Sequence, residues 1–310
     1  MIEVSHRTLS IARYRFEFRI TEAIGLPEYA GSALRGAFGR ALRKISCMTK
    51  QQDCKACPLY RTCPYPAIFE TPAPLNHNLQ KFSQVPNGYI IEPPDWGFKV
   101  YPQNSMLNFD LVLFGNLITQ LPLIAFAWKR AFEHQIGQGK GELQAIYYLP
   151  QQGEQETIYD NGNILPYEVG LNIPQNLPDN MVLKITTPLR LQKEGKPLTP
   201  KTIQKERLLL GLAKRFALLN EFHQSERIEL NFEQLQYELQ AVQDSHQLEW
   251  RDWTRYSSRQ QQKMQLGGVV GYWELSELSP TWQRLLYLGQ WLHIGKNATF
   301  GLGKYQITNL

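Results

Sequence analysis

Between residues 11 and 20 the chain alternates without a break. Ala12, Tyr14, Phe16, Phe18 and Ile20 fall on one side, and Ile11, Arg13, Arg15, Glu17 and Arg19 on the other. A period of two sends successive side chains to opposite faces of a strand, so this segment reads as a strand with one buried and one charged face. After a Gly25/Pro27 break the period changes to that of a helix. Over 28–45, Leu34, Ala37, Phe38, Ala41, Leu42 and Ile45 form an apolar stripe, with Arg35, Arg40, Arg43 and Lys44 on other faces. Runs at 88–91 and 109–114 read as strands, 117–136 as a second helix and 143–149 as a strand. Strand, helix, two strands, helix, strand is the split βαβ order of a ferredoxin-like domain.

The same order returns in the second half. A strand is expected at 182–191, a helix at 201–223, an extra helix at 231–243 and strands at 246–256 and 266–275. A helix at 280–292 follows, opened by Ser279 as N-cap and Pro280 in the first turn, and a last strand at 304–308. The expected fold is therefore α+β: two tandem ferredoxin-like (RRM-like) domains, 1–160 and 161–310, with a cysteine-rich insertion at 46–70. At 310 residues and 43% hydrophobic content the chain can bury two cores, which excludes a disordered or fibrous class. Its longest apolar run, around 121–128, is far short of the ~20 residues that span a bilayer. Residues 1–9 have no apolar signal core. No membrane partner and a cytoplasmic location are expected.

All four cysteines fall within 17 residues, at Cys47, Cys54, Cys57 and Cys63, spaced C-x6-C-x2-C-x5-C. A two-residue gap lets Cys54 and Cys57 reach one ion from a tight turn, and the outer pair closes a tetrahedron. Disulfides are disfavoured in a reducing compartment. A closed, structural four-thiolate zinc site is expected ahead of an iron–sulfur cluster or of free or disulfide-bonded cysteines. Such a site has no vacancy for a reacting water.

The net charge of +5 is unevenly placed. Residues 1–75 hold 11 Lys/Arg against 6 Asp/Glu, and residues 255–310 hold 6 against 2. Basic ends around an acidic middle suit a polyanionic partner, although ordinary surface charge explains the same count. In the C-terminal loop at 293–305, Gly295, Gly301 and Gly303 permit a close backbone approach, and successive N–H groups of such a turn can cradle an anion. Lys296 and Lys304 add charge there, and Phe300 and Tyr305 are candidates to stack on bases. The loop follows a helix and precedes a strand, the reverse of a dinucleotide or Walker loop. Arg255, Arg259 and Lys263, interleaved with Trp253 and Tyr256, suit an RNA platform or an ordinary strand face.

Three of these features carry a family resemblance. They are Gly295-x5-Gly301-Leu-Gly303 before the last strand, Gly31-Ser-Ala-Leu-Arg35-Gly36-Ala-Phe-Gly39 in the first helix, and Arg255-Tyr-Ser-Ser-Arg259 with Leu266-Gly-Gly268-Val-Val-Gly271. The sequence resembles the CRISPR repeat-RNA processing endoribonucleases of the RAMP superfamily, and its cysteine insertion resembles one branch of them. The resemblance implies a metal-independent cut of a precursor transcript. The 2′-hydroxyl attacks the adjacent phosphate, leaving a 2′,3′-cyclic phosphate and mature guide RNAs. It implies repeat RNA as partner, and CRISPR effector or adaptation proteins as further partners. Arg35, Arg40, Arg255, Arg259, Gly295, Lys296, Gly301, Gly303 and Lys304 become the candidate RNA contacts.

At the usual base the sequence departs from the family. Many members carry a histidine in or just after the first helix, but none stands between Arg7 and Asn76 here. Tyr29, Lys44 and the more distant His77 are the remaining catalytic candidates, with His293 as a further RNA contact. His6, His134, His223 and His246 read as surface or structural positions. The missing histidine also leaves open a non-catalytic RNA-binding subunit of an effector complex. A zinc-stapled DNA- or protein-binding module outside this superfamily is the third reading.

Overall fold

The computed structural model describes residues 9–74, 85–225, 227–257 and 262–310. They form two compact units: Leu9–Leu171 together with Phe222–Ser225, and the remainder of 172–310.

In the first unit, β1 (Ile11–Glu22) leads through a short strand at Ile24–Leu26 into α1 (Gly31–Ser46). A turn-rich cysteine segment follows, then α2 (Pro64–Phe69), β2 (Tyr89–Glu92), β3 (Met106–Phe114), α3 (Leu121–His134) and β4 (Lys140–Leu149). The sheet runs β2-β3-β1-β4, every neighbour antiparallel, with Glu156–Thr157 added beside β4. This is the ferredoxin-like strand order, with β1 in the middle.

The inward side chains of β1 form the core. Tyr14, Phe16, Phe18 and Ile20 are fully buried. Phe18 stacks on Phe132 of α3 at 3.6 Å between ring centres, Phe16 on Phe109 at 5.5 Å, and Phe38 of α1 on Trp128 of α3 at 4.9 Å. Each such ring stabilises the fold by about 1.5–3 kcal/mol relative to exposure. The outward face of the sheet is a set of cross-strand ion pairs: Arg13 with Glu92, Arg15 with Asp110, Arg19 with Glu142 and Lys140 with Glu22. The helix expected at 117–136 begins only at Leu121. Residues Gly115–Gln120 form a tighter 3₁₀ turn, and Pro122, which lacks an N–H, sits in the first turn of α3. Tyr167 bonds the Tyr14 hydroxyl at 2.7 Å, and Leu165 donates its N–H to the Ile158 carbonyl, so 161–171 fold with the first unit.

The second unit repeats the plan with β5 (Met181–Leu189), α4 (Lys205–His223), α5 (Phe232–Leu239), β6 (Gln243–Arg251), β7 (Gly268–Ser276), α6 (Pro280–Leu292) and β8 (Tyr305–Ile307). Its order, β6-β7-β5-β8, matches that of the first sheet. The expected strand at 246–256 is interrupted. β6 ends at Arg251, Trp253 turns into the core, and Thr254–Ser257 starts a separate hairpin with Gln262–Gln265. Ser279 caps α6 as its sequence indicates, accepting from the Trp282 N–H. No helix among the described residues is long and apolar enough to cross a membrane.

Candidate nucleic-acid interface and cysteine cluster

The first unit holds a groove of about 860 Å³ between α1 and the end of α3. Small side chains make room for it: Ala37 and Ala41 on α1 face Ala131 on α3. Arg40, Lys44, Arg130 and His134 line it and are all exposed. Arg40 and Lys44 are one helical turn apart, and so are Arg130 and His134. The one carboxylate on the lining, Glu133, is held by Arg130 at 3.0 Å. A groove with this balance of charge suits a phosphodiester backbone.

Arg35 does not face this groove. Its Nε donates to the Tyr89 hydroxyl at 2.9 Å, its Nη2 to the Phe69 carbonyl at 3.3 Å, and its guanidinium lies 4.1 Å above the Phe69 ring. These contacts make it a strut between α1, α2 and β2. Gly39 permits the same packing. A Cβ there would meet the Phe69 ring at 2.7 and 2.8 Å, and Cζ closer still, so only glycine lets α2 lie against α1.

Tyr29, expected at the reacting centre, is only 2% exposed and packs against Trp96 with ring centres 5.0 Å apart. Burial first, and the Glu92 charge second, push its phenol well above the ordinary range. A ring so buried stands as core packing, not as an exposed contact to a substrate hydroxyl. His77 and Arg259 lie outside the described residues. Arg255 is in the hairpin that pairs with Gln262–Gln265, opposite Met264. Trp253, expected to stack beside it, is buried.

The glycine loop of the second unit is folded onto its own domain. The Ile294 N–H bonds the Gly303 carbonyl, the Lys296 N–H the Arg190 carbonyl and the Gly303 N–H the Pro188 carbonyl, all at 3.0–3.1 Å. Gly303 has φ +69°, and a Cβ there would collide with the Ile294 carbonyl. Gly301 and Gly303 are buried, so their part is to let the loop close. Phe300 and Tyr305 are buried as well, and the Tyr305 hydroxyl donates to the Leu286 carbonyl at 2.5 Å. They are core residues, which corrects the base-stacking expectation. His293 is fully buried, with Nδ1 3.2 Å from the Leu302 carbonyl. Lys296 remains exposed and Lys304 half-buried.

The cysteine segment starts where α1 stops. Cys47 is the C-cap of α1 and Cys63 the N-cap of α2. Between them the Cys57 N–H donates to the Cys54 carbonyl at 3.1 Å, the tight turn that the two-residue spacing foresees. Arg43 ties the segment to the helix by donating to the carbonyls of Gln51 and Gln52 at 2.7 and 2.8 Å. All four cysteines are unbridged and line one cavity of about 20 Å³, the room of roughly one water or ion. Burial pushes the Cys54 thiol up, while Arg43 works against that shift. The soft, all-sulfur donor set is chemically right for zinc. Its geometry is not closed: among the described residues no three His, Cys, Asp or Glu side chains are gathered tightly enough to hold an ion.

Two family models match the sequence. AF_1859_N, an N-terminal domain, matches residues 9–170, and CRISPR-associated endoribonuclease Cas6 matches residues 183–305. No curated protein matches. Among solved structures, the product complex of a Cas6 from Thermus thermophilus is similar over 97% of this chain and 100% of its own, with TM-score 0.57 and 12% identity. A Cas6-related gene product from Pyrococcus furiosus is similar over 96% and 99%, with TM-score 0.54 and 9% identity. A chain in a partial Cas6-RT-Cas1–Cas2 complex is similar over 97% of this chain and 46% of its own, with TM-score 0.54 and 13% identity. At these identities the likeness is one of fold.

Proposed function

We propose that the chain is a CRISPR repeat-RNA endoribonuclease, a reading supported by the Cas6 model that matches residues 183–305, and that the groove between α1 and α3 holds the scissile phosphate of the repeat. In this reading the chain binds repeat RNA and cuts it, and the match to an endoribonuclease model favours it over the non-catalytic and zinc-module readings. The observation that carries the placement is the pairing of Arg40 and Lys44 with Arg130 across an alanine-floored groove. Cleavage proceeds without a metal: the 2′-oxygen attacks phosphorus, the P–O5′ bond breaks, and a 2′,3′-cyclic phosphate and a 5′-hydroxyl result. Arg40 and Lys44 take up the charge that builds on the phosphoryl oxygens, and the fixed helix pair holds the attack in line. Lys296 and Lys304 of the second unit contact the backbone elsewhere along the repeat. Adaptation proteins are further partners, a reading supported by the fold shared with a chain of the Cas6-RT-Cas1–Cas2 complex.

Cys47, Cys54, Cys57 and Cys63 hold a structural zinc in this reading. Its support is the shared cavity and the Cys54–Cys57 turn. The ion braces the link from α1 to α2 and takes no part in the reaction.

The test is cleavage of cognate repeat RNA in EDTA, beside an RNA with a 2′-deoxy nucleotide at the scissile position. Cleavage of the first alone, with a cyclic-phosphate end, is expected. A cut that stops in EDTA and returns with magnesium overturns the metal-free reading.

A further inference from the structure

The groove holds one ionisable group that the sequence reading set aside. His134 is the last residue of α3, is exposed, and lines the groove with Arg40, Lys44 and Arg130. The other described histidines are committed elsewhere. His223 is 3% exposed, with Nε2 2.7 Å from the Pro86 carbonyl. His293 is fully buried in the glycine loop, and His246 lies edge-on against Trp273 at 5.3 Å. Of the described imidazoles, that of His134 alone stands in the groove that gathers the cations.

We propose that His134 is the general base of the RNA cleavage, supplied by α3 where this chain lacks a histidine on α1. The assignment rests on the endoribonuclease reading and deepens it. Its physical ground is division of labour. The cleavage needs a group that accepts a proton near neutrality, which arginine and lysine in water do not, and imidazole is the side chain suited to it. The charged groups facing His134 are Arg40 and Lys44 from α1 and Arg130 and Glu133 from α3. The turn beyond α3 contributes the uncharged Gln135, Gly137 and Gln138. Glu133 is engaged by Arg130, which leaves the imidazole as the acceptor for a substrate hydroxyl. In the step, a ring nitrogen of His134 takes the proton of the 2′-hydroxyl as the O2′–P bond forms. The P–O5′ bond breaks, the departing oxygen takes a proton from water, and the imidazolium returns its proton to the hydroxide left behind. No oxidant or metal is required.

The experiment is single-turnover cleavage of cognate repeat RNA at saturating protein, with the RNA dissociation constant measured at the same ionic strength. His134→Ala is expected to lower the rate constant by about 10²–10⁴-fold while the dissociation constant moves less than about threefold. Added imidazole should restore part of the rate in proportion to its free-base fraction, and His134→Gln should stay slow. Exposure of His134 keeps both variants folded, checked by a melting temperature equal to that of the parent. Cleavage by His134→Ala within about threefold of the parent overturns the assignment, as does a loss that imidazole leaves untouched or that follows binding. Should the parent protein leave the RNA uncut in every condition, the endoribonuclease reading falls and this assignment with it. A parent that cuts beside a fully active variant removes His134 alone.

Discussion

Gly39→Ala sets two effects of opposite sign against each other in the middle of α1. Helix propensity favours alanine over glycine by about 1 kcal/mol, so an isolated helix would be stabilised. The packing says otherwise. The new methyl would stand 2.7 and 2.8 Å from two carbons of the Phe69 ring, and ordinary contact of about 3.5–4.0 Å requires a shift of roughly 1 Å. The ring has nowhere to go. It is 7% exposed, stacks on Tyr65 and Tyr89 with centres 5.4 and 6.2 Å apart, and has the Arg35 guanidinium 4.1 Å above it. Overpacking alone costs about 1–3 kcal/mol, and complete loss of a buried phenylalanine about 3–5 kcal/mol. A gross cost of about 2–4 kcal/mol follows, or about 1–3 kcal/mol net of propensity. The assay is urea unfolding read by hydrogen exchange of the peptide covering 31–46, which isolates the first unit. In a Phe69→Ala background the clash is gone, and Gly39→Ala should then stabilise by about 1 kcal/mol. Greater protection of α1 by Gly39→Ala in the parent background would refute the reasoning, because propensity would then have won.

Other expectations bear on the reaction and the cysteines. Lys44→Ala should slow single-turnover cleavage by about 10²-fold and reduce the salt slope of RNA binding by about one ion; an unchanged rate constant removes Lys44 from the phosphate. Tyr29→Phe should leave cleavage within about twofold, since its phenol is buried against Trp96, and a large loss of rate at unchanged melting temperature would return it to the reaction. Elemental analysis of protein purified without chelator should find one zinc per chain. A Cys54→Ser/Cys57→Ser variant should lack it and melt earlier in the first unit, and a metal-free parent with the same melting curve would dismiss the structural ion.

The elements that could be read from sequence are those whose pattern is local. The period-two run in β1 and the apolar stripe of α1 state their own conformation, and the repeated element order yields the strand order of both sheets. What escaped depended on tertiary placement. His134 is the exposed helix-end residue its sequence position indicates, but nothing local reveals that α3 ends on the same groove as Lys44 of α1. Phe300 and Tyr305 have the composition of a stacking platform, yet the loop folds inward through hydrogen bonds to the Pro188 and Arg190 carbonyls, more than a hundred residues earlier in the chain. Trp253 went the same way, since an aromatic ring near arginines fits a core wall as well as an RNA surface. Pro122 is the one local signal that could have moved the start of α3.

The cross-strand ion pairs on the outer face of the first sheet have a consequence for encounters in solution. Each arginine or lysine there stands beside a carboxylate on another strand of the sheet, so their fields cancel within a few ångströms and little reaches beyond the screening length of about 8 Å at physiological salt. The α1–α3 groove has cations in excess: Glu133 offsets Arg130, and its lining holds no carboxylate for Arg40 or Lys44. A strand of RNA drifting past this unit therefore feels a torque toward one side of it before any contact forms, and collisions become oriented ones. Charge-reversing Asp110 or Glu142 would leave the groove intact and spoil that aim, giving a slower association rate with an unchanged rate of the chemical step.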